Sequence, residues 1–198
     1  MSTAQGFGPM TNERLPLPSR DSMNEAQRLA ADSIINGPRK AIFGPFVPLL
    51  QVPALMEHIG KTGETLRFHG SLKDAIRELT ICVVSRETGN QFEWQTHAPA
   101  AIKAGVKEEE IASLGAGRRP RDLPGDQACA VDFASELMLR NGVSDATYAE
   151  AVAHFGEPGT VELTALIGYF TMVCWVMNVA RTPGPAGSNT PGLTAFPD

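Results

Sequence analysis

The sequence predicts an all-α fold, and three observations predict it. Apolar residues recur at spacings of three and four along most of the chain, Gly or Asn stop signals close most of these runs, and nothing reads as a strand ladder. A chain of 198 residues, 42% hydrophobic, can bury one substantial core. Residues 22–181 are therefore expected to form a single domain of antiparallel helices, with an irregular arm over 1–21 and a flexible tail over 182–198.

Each element follows in order. The arm holds Pro9, Pro16 and Pro18 and few periodic apolar positions. A first helix is expected after Ser22, because Ser22-Met23-Asn24-Glu25 fits a capping box and the stripe Ala26, Leu29, Ala30, Ile34 ends at Gly37-Pro38. Segment 41–52 carries Pro45 and Pro48 among large apolar residues, which predicts a buried irregular strap or a single helical turn. Pro53 suits a first helical position, and Leu55, Met56, Ile59 and Leu66 carry that helix to about Phe68. Ser71 with Asp74 is read as opening the next helix, whose stripe runs Leu72, Ala75, Ile76, Leu79, Cys82, Val83. Gly89-Asn90 breaks it, a helix from about Gln91 runs to a stop at Gly105, and the short joint predicts an antiparallel hairpin. A short helix follows Lys107, then a Pro/Arg-rich loop, a helix over Asp126 to Arg140, and one from Asp145 to Phe155 that stops at Gly156. The last runs from about Thr160 to Ala180 and is apolar on all sides, so it needs cover that a neighbouring subunit would supply. The tail, rich in Pro and Gly, is expected to be disordered or laid across another subunit.

Composition narrows the partners. A formal charge of -5 and a pI near 5.4 leave no positive excess with which to neutralise phosphates, so neither nucleic acid nor an anionic membrane is expected. Cys82, Cys129 and Cys174 lie far apart within apolar stretches and read as small buried hydrophobes. No CxxC is present and Met1 to Leu15 has no apolar leader core, so a reducing cytoplasm is the expected location. No cluster of ligating side chains has metal-binding spacing, and neither metal nor cofactor is expected.

One stretch looks built for proton chemistry. Glu93 and His97 are four apart on the same helix, so their side chains meet, and Glu78 sits at the edge of the preceding helix's apolar stripe, facing sideways. Phe68, His69, Trp94 and Tyr169 are candidates to line a cavity beside them, with core packing the alternative for Trp94 and Tyr169. Arg119, in the run Arg118-Arg119-Pro120-Arg121, belongs either to a solvated loop or to a positive rim meeting an acidic substrate. His58 and His154 read as ordinary surface residues.

The run from Arg77 to Leu114 resembles the carboxymuconolactone decarboxylase and alkyl hydroperoxidase D-like family. The resemblance lies in Arg77-Glu78-Leu79, Glu93-Trp94 followed by His97-Ala98, Ala104-Gly105-Val106 and Glu109-Glu110-Ile111, with later support from Phe155-Gly156, Val161-Glu162-Leu163 and Gly168-Tyr169, so that it spans about 50–181. It implies an alkyl hydroperoxidase D-like helical bundle that assembles as a dimer, trimer or hexamer.

The family's chemistry divides at residues that can be read here. Its hydroperoxidase branch carries a CxxC at the places occupied by Asn90 and Glu93, so peroxide reduction lacks its thiolates at that motif. The decarboxylase branch is similar at the site and implies cofactor-independent lyase chemistry on a small unsaturated carbonyl or lactone acid, of the kind met in aromatic degradation. The resemblance then implies that His97 donates a proton or hydrogen-bonds the developing dienolate, Glu93 orients His97 and sets its protonation, and Glu78 shares or relays the proton. A thiol hydroperoxidase and a non-catalytic helical oligomer or small-ligand binding module are the alternatives. The family's lactone decarboxylases are shorter and lack an arm like 1–50, which bears on the substrate.

Overall fold

The computed structural model describes residues 13–193, and over that range it has eight α-helices, one short 3-10 turn and no strand. Residues 1–12 of the arm and 194–198 of the tail lie outside the described residues.

The arm from residue 13 is irregular up to the 3-10 turn Arg20–Ser22, and the Arg14 N–H donates to Ala180 O at 2.8 Å. Helix α1 (Glu25–Asn36) is capped by Asn24 rather than by Ser22. The Gln27 N–H donates to Asn24 Oδ1 at 2.9 Å and the Asn24 N–H to Gln27 Oε1 at 3.0 Å, a reciprocal pair that outcompetes Ser22, whose hydroxyl turns back to Ser19 O. The strap then crosses to the single turn α2 (Phe46–Leu49), buried throughout as its prolines and large apolar residues predict. Helix α3 (Pro53–Phe68) starts on its proline.

Helix α4 (Asp74–Glu87) is the central element, with α5, α7 and α8 packed around it. Ile76, Leu79, Ile81, Cys82, Val83 and Val84 are all shielded, so its burial extends well beyond one stripe. Its cap differs from the expected one. Lys73 holds the N-cap position, while the Ser71 N–H and hydroxyl both donate to Glu162 Oε2 on α8, at 2.8 and 2.6 Å, so Ser71 ties two helices together.

The corner into α5 (Gln91–Lys103) is fixed by Asn90. Its side chain accepts from the Glu93 N–H at 2.9 Å as N-cap and donates to Asn178 Oδ1 at 2.8 Å, while Asn178 Nδ2 donates to Thr88 O at 2.8 Å. The first turn of α5 is thereby locked against α8. Helix α6 (Glu108–Gly115) follows, and Glu110 receives the backbone N–H groups of Arg121 and Asp122, which pins the Pro/Arg loop. Helix α7 (Gly125–Arg140) ends at Asn141 in the left-handed region. Helix α8 (Asp145–Ala180) is one helical run broken at Gly156, where φ is 68° and ψ is 171°, so the expected stop at Gly156 is a kink between two segments.

By length and composition α8 could cross a bilayer, and half of its most apolar window is buried within the chain. Its outward side carries Val161, Trp175 and Val179, with Trp175 61% exposed.

The tail departs from expectation in its described part. It lies on its own chain: the Trp94 Nε1–H donates to Pro191 O at 3.1 Å, the Leu193 N–H donates to Gln91 Oε1 at 2.8 Å, and the Leu193 side chain is buried. Gln91 and Gln95 offer a row of amides along α5 that satisfies tail backbone groups, which is what holds a segment with so few apolar residues in place.

Candidate acid–base site

Three ionisable side chains from α4 and α5 converge. One helical turn separates Glu93 from His97, which places Glu93 Oε2 3.0 Å from His97 Nε2. Across the hairpin, Glu78 Oε2 lies 2.5 Å from His97 Nδ1. The imidazole is thus held between two carboxylates with both ring nitrogens engaged, and it is 1% exposed. Phe170 meets its ring edge-on at a centroid distance of 5.3 Å. The second oxygen of Glu78 faces Arg77, with Oε1 3.5 Å from Nε.

Charge follows from this geometry. Burial disfavours the charged forms of both His97 and Glu78. For His97 that penalty is outweighed by the hydrogen bonds and charges of Glu78 and Glu93, so its pKa is raised. For Glu78 the hydrogen bond and charge of His97, with the charges of Arg67 and Arg77, overcome burial and hold the carboxyl below its ordinary value. The arrangement therefore favours a Glu78 carboxylate bonded to an imidazolium that also touches Glu93.

Glu93 and His97 border a cavity of about 30 Å³ whose walls include Arg39, Arg67, Phe43, Phe92 and Tyr169. Glu78 is not part of the wall and lies behind His97. This volume holds about one water molecule. Arg39 reaches in from the strap, donating Nη1 to Glu64 Oε1 at 2.9 Å and stacking over Phe46 at 4.6 Å. Gly63 of α3 permits the crowding on this side, since a Cβ there would lie 2.2 Å from the Tyr169 hydroxyl oxygen. Burial pushes the Tyr169 hydroxyl up to about 12, so it stays protonated. The strap forms the outer wall, where Phe43 stacks on Phe92 at 6.4 Å.

Of the residues singled out in the sequence, Glu78, Glu93 and His97 come together and Tyr169 joins their cavity. The others do not. Phe68, 47% exposed, and His69, the C-cap, sit at the exposed end of α3 and border no part of that cavity. Arg119 makes an exposed two-point ion pair with Asp132, which holds its loop against α7. Trp94 does not border the cavity beside His97 and instead lines a larger one of about 510 Å³ beneath the tail. That cavity is mostly apolar, with Glu108 the only ionisable group on its wall among the described residues, so size does not identify the reactive site. Sequence reasoning missed Arg39 and Arg67. Arg67 shares α3 with Gly63, one turn earlier on the same helix, which gave a faint signal; Arg39 had none, because it reaches the site from irregular backbone.

His58 and His154 are exposed. Among the described residues, no group of three or more His, Cys, Asp or Glu side chains is arranged to hold a metal ion.

Residues 53–121 match the model of the carboxymuconolactone decarboxylase family. The chain is similar in structure to an uncharacterized peroxidase-related protein from Silicibacter sp. TM1040, at TM-score 0.73 and 16% identity over 91% of this chain and 95% of that one. It is likewise similar to the alkylhydroperoxidase AhpD core protein of Ralstonia eutropha JMP134, described as an uncharacterized peroxidase-related protein, at TM-score 0.72 and 16% identity over 87% and 92%. A third similar structure is the debrominase Bmp8, at TM-score 0.64 and 12% identity over 88% and 94%. Among curated proteins, none matches the chain significantly. At these identities the structures speak for the fold. The segment that matches the family model contains α3 through α6 and so both halves of the Glu78, Glu93 and His97 cluster, and the chain has the alkyl hydroperoxidase D-like fold.

Proposed function

We propose that this chain catalyses proton transfer on a small unsaturated carbonyl compound, decarboxylation included, with Glu78, His97 and Glu93 as the working groups. The observation that supports this most is the doubly bonded imidazole: Glu78, His97 and Glu93 form one line of hydrogen bonds whose last member borders a cavity. Such a line moves a proton inward without any group crossing the site.

The assignment of roles follows from which atoms are free. Both nitrogens of His97 are occupied, so Glu93 is the group that exchanges a proton with the substrate. His97 reprotonates Glu93 through Nε2, and Glu78 keeps His97 charged and oriented through Nδ1. In a decarboxylation the bond to the carboxylate breaks, its electron pair delocalises into the conjugated carbonyl, and CO2 leaves. The resulting dienolate takes one proton from Glu93, which solvent restores through the relay. The imidazolium stabilises the negative charge while it lasts. Substrate reaches this position by displacing Phe43, which is partly exposed on the strap.

The thiol alternative has less support. Cys82 and Cys174 are fully shielded and burial pushes both thiols well above their ordinary value, while Cys129 is raised to about 11 by burial and by nearby carboxylates. A peroxidatic thiol needs the opposite setting, a stabilised and accessible thiolate. The reading as a non-catalytic module is disfavoured by the expense of burying three ionisable groups beside a cavity. The test is deuterium incorporation from D2O into a panel of small unsaturated keto acids and lactones, followed with CO2 release, for the native chain against Glu93→Gln and His97→Gln.

We also propose that the chain self-associates through α8. Val161, Ala165, Gly168, Met172, Trp175 and Val179 alternate at spacings of four and three, a seam without charge that a second copy would cover.

A further inference from the structure

The cavity wall holds two guanidinium groups in different circumstances. Arg39 is committed: its Nη1 pairs with Glu64, its Nη2 donates to Gly60 O at 3.2 Å, and its face lies on Phe46. Arg77, nearby on α4, also has a shielded Nε without a hydrogen-bond acceptor, but it has carboxylate partners, with Nη2 2.7 Å from Asp74 Oδ1 and Nε 3.5 Å from Glu78 Oε1. Arg67 is different. Its Nε–H is shielded from solvent without a hydrogen-bond acceptor, and among the described residues no carboxylate lies within ion-pair distance of it. Its guanidinium lies 5.4 Å from the ring of Phe68, and its charge acts on Glu78 and Tyr169 without a hydrogen bond to either. A half-buried cation whose shielded Nε–H has no acceptor, on the wall of the same cavity as Glu93 and His97, leaves a donor for an anion to satisfy.

We propose that Arg67 is the anchor for a carboxylate of the substrate. This rests on the acid–base reading for the reaction but not for the binding. The planar fork of Arg67 receives two carboxylate oxygens, and the protonated Tyr169 hydroxyl, on the same wall, stands as a second donor. Anchoring at Arg67 turns the conjugated part of the molecule toward Glu93.

Physical chemistry narrows the substrate class further. An ion pair stabilises a carboxylate in its charged state and so slows its departure as CO2. The carboxylate at Arg67 is therefore one that the reaction keeps. If the chain decarboxylates, its substrate carries two acid groups; if it only moves a proton, one suffices.

The rival account is that Arg67 merely balances the negative charge of Glu78 and Glu93. The two accounts differ in whether charge on a ligand is recognised. Titration calorimetry with crotonate, a small unsaturated carboxylate, and with crotonamide, its uncharged counterpart, separates them. The native chain is expected to prefer crotonate. Arg67→Gln is expected to lose that preference, with crotonate affinity falling about tenfold or more, the scale of one charge-assisted hydrogen bond. His97→Gln should keep it. Arg67→Lys, which retains charge but not the fork, should bind crotonate more weakly than the native chain with crotonamide unaffected, and it gives a reading should the Gln variant not fold. No preference in the native chain, a preference that survives Arg67→Gln, equal crotonate affinity for Arg67→Lys and the native chain, or a preference lost in His97→Gln would each overturn the proposal. Crotonate recognition through Arg67 in a chain that exchanges no protons would sink the acid–base reading and leave the anchor standing.

Discussion

Glu78 on α4 and His97 on α5 are joined at 2.5 Å between Oε2 and Nδ1 across the hairpin, with His97 1% exposed and Glu78 6%. That contact decides the state of the site, because it gives the imidazole a carboxylate to lean on while its other nitrogen faces Glu93.

Glu78→Gln is expected to lower the pKa of His97, since burial then acts against the imidazolium with one counter-charge fewer. Imidazole chemical shifts followed against pH check this. An unchanged titration would mean that Glu93 alone sets the charge of the ring.

The same pair makes stability depend on pH in a defined window. His97 is raised above its ordinary 6.5, so its contribution is full below that value and is lost as pH climbs through the raised folded value. Glu78 is held below its ordinary 4.5, so its contribution is full above 4.5 and is lost as pH falls through the lowered folded value. The difference in melting temperature between the native chain and His97→Gln is expected to be largest between these two ordinary values and to narrow on either side. A difference independent of pH would contradict the charged pair.

Much of this site was legible in the sequence, and the reasons are physical. Helical spacing forces Glu93 and His97 together, and a three-residue joint brings the neighbouring helix alongside, so Glu78 followed. Periodicity says nothing about side chains that arrive from irregular backbone, which is why Arg39 was invisible. Nor does it say on which side of a helix an aromatic ring finds cover. Trp94 precedes His97 by three residues, yet its indole turns toward the tail because Pro191 supplies an acceptor there. Caps were misread where two candidates compete: Asn24 wins over Ser22 by pairing reciprocally with Gln27, and Ser71 is drawn off by Glu162, ninety-one residues away.

Cysteine reactivity tests the thiol alternative directly. Cys82 and Cys174 are shielded with raised thiol pKa values, so the folded chain is expected to resist iodoacetamide at neutral pH and to react fully once denatured. A thiol alkylated rapidly in the folded chain, with loss of peroxide turnover, would revive it.

Trp175→Glu places a charge in the middle of the α8 seam, away from the acid–base site. Light scattering is expected to show the native chain as an oligomer and the variant shifted toward monomer, with helix content retained. A monomeric native chain at micromolar concentration would remove the proposed interface.

The relay itself is tested most directly by deuterium incorporation into an unsaturated keto acid that the native chain turns over. Glu93→Gln is expected to cut the rate by about 10²-fold or more, the scale of a lost general acid–base group, while the helical fold remains intact. Incorporation at the native rate in Glu93→Gln would contradict the assignment of Glu93 as the group that hands the proton across.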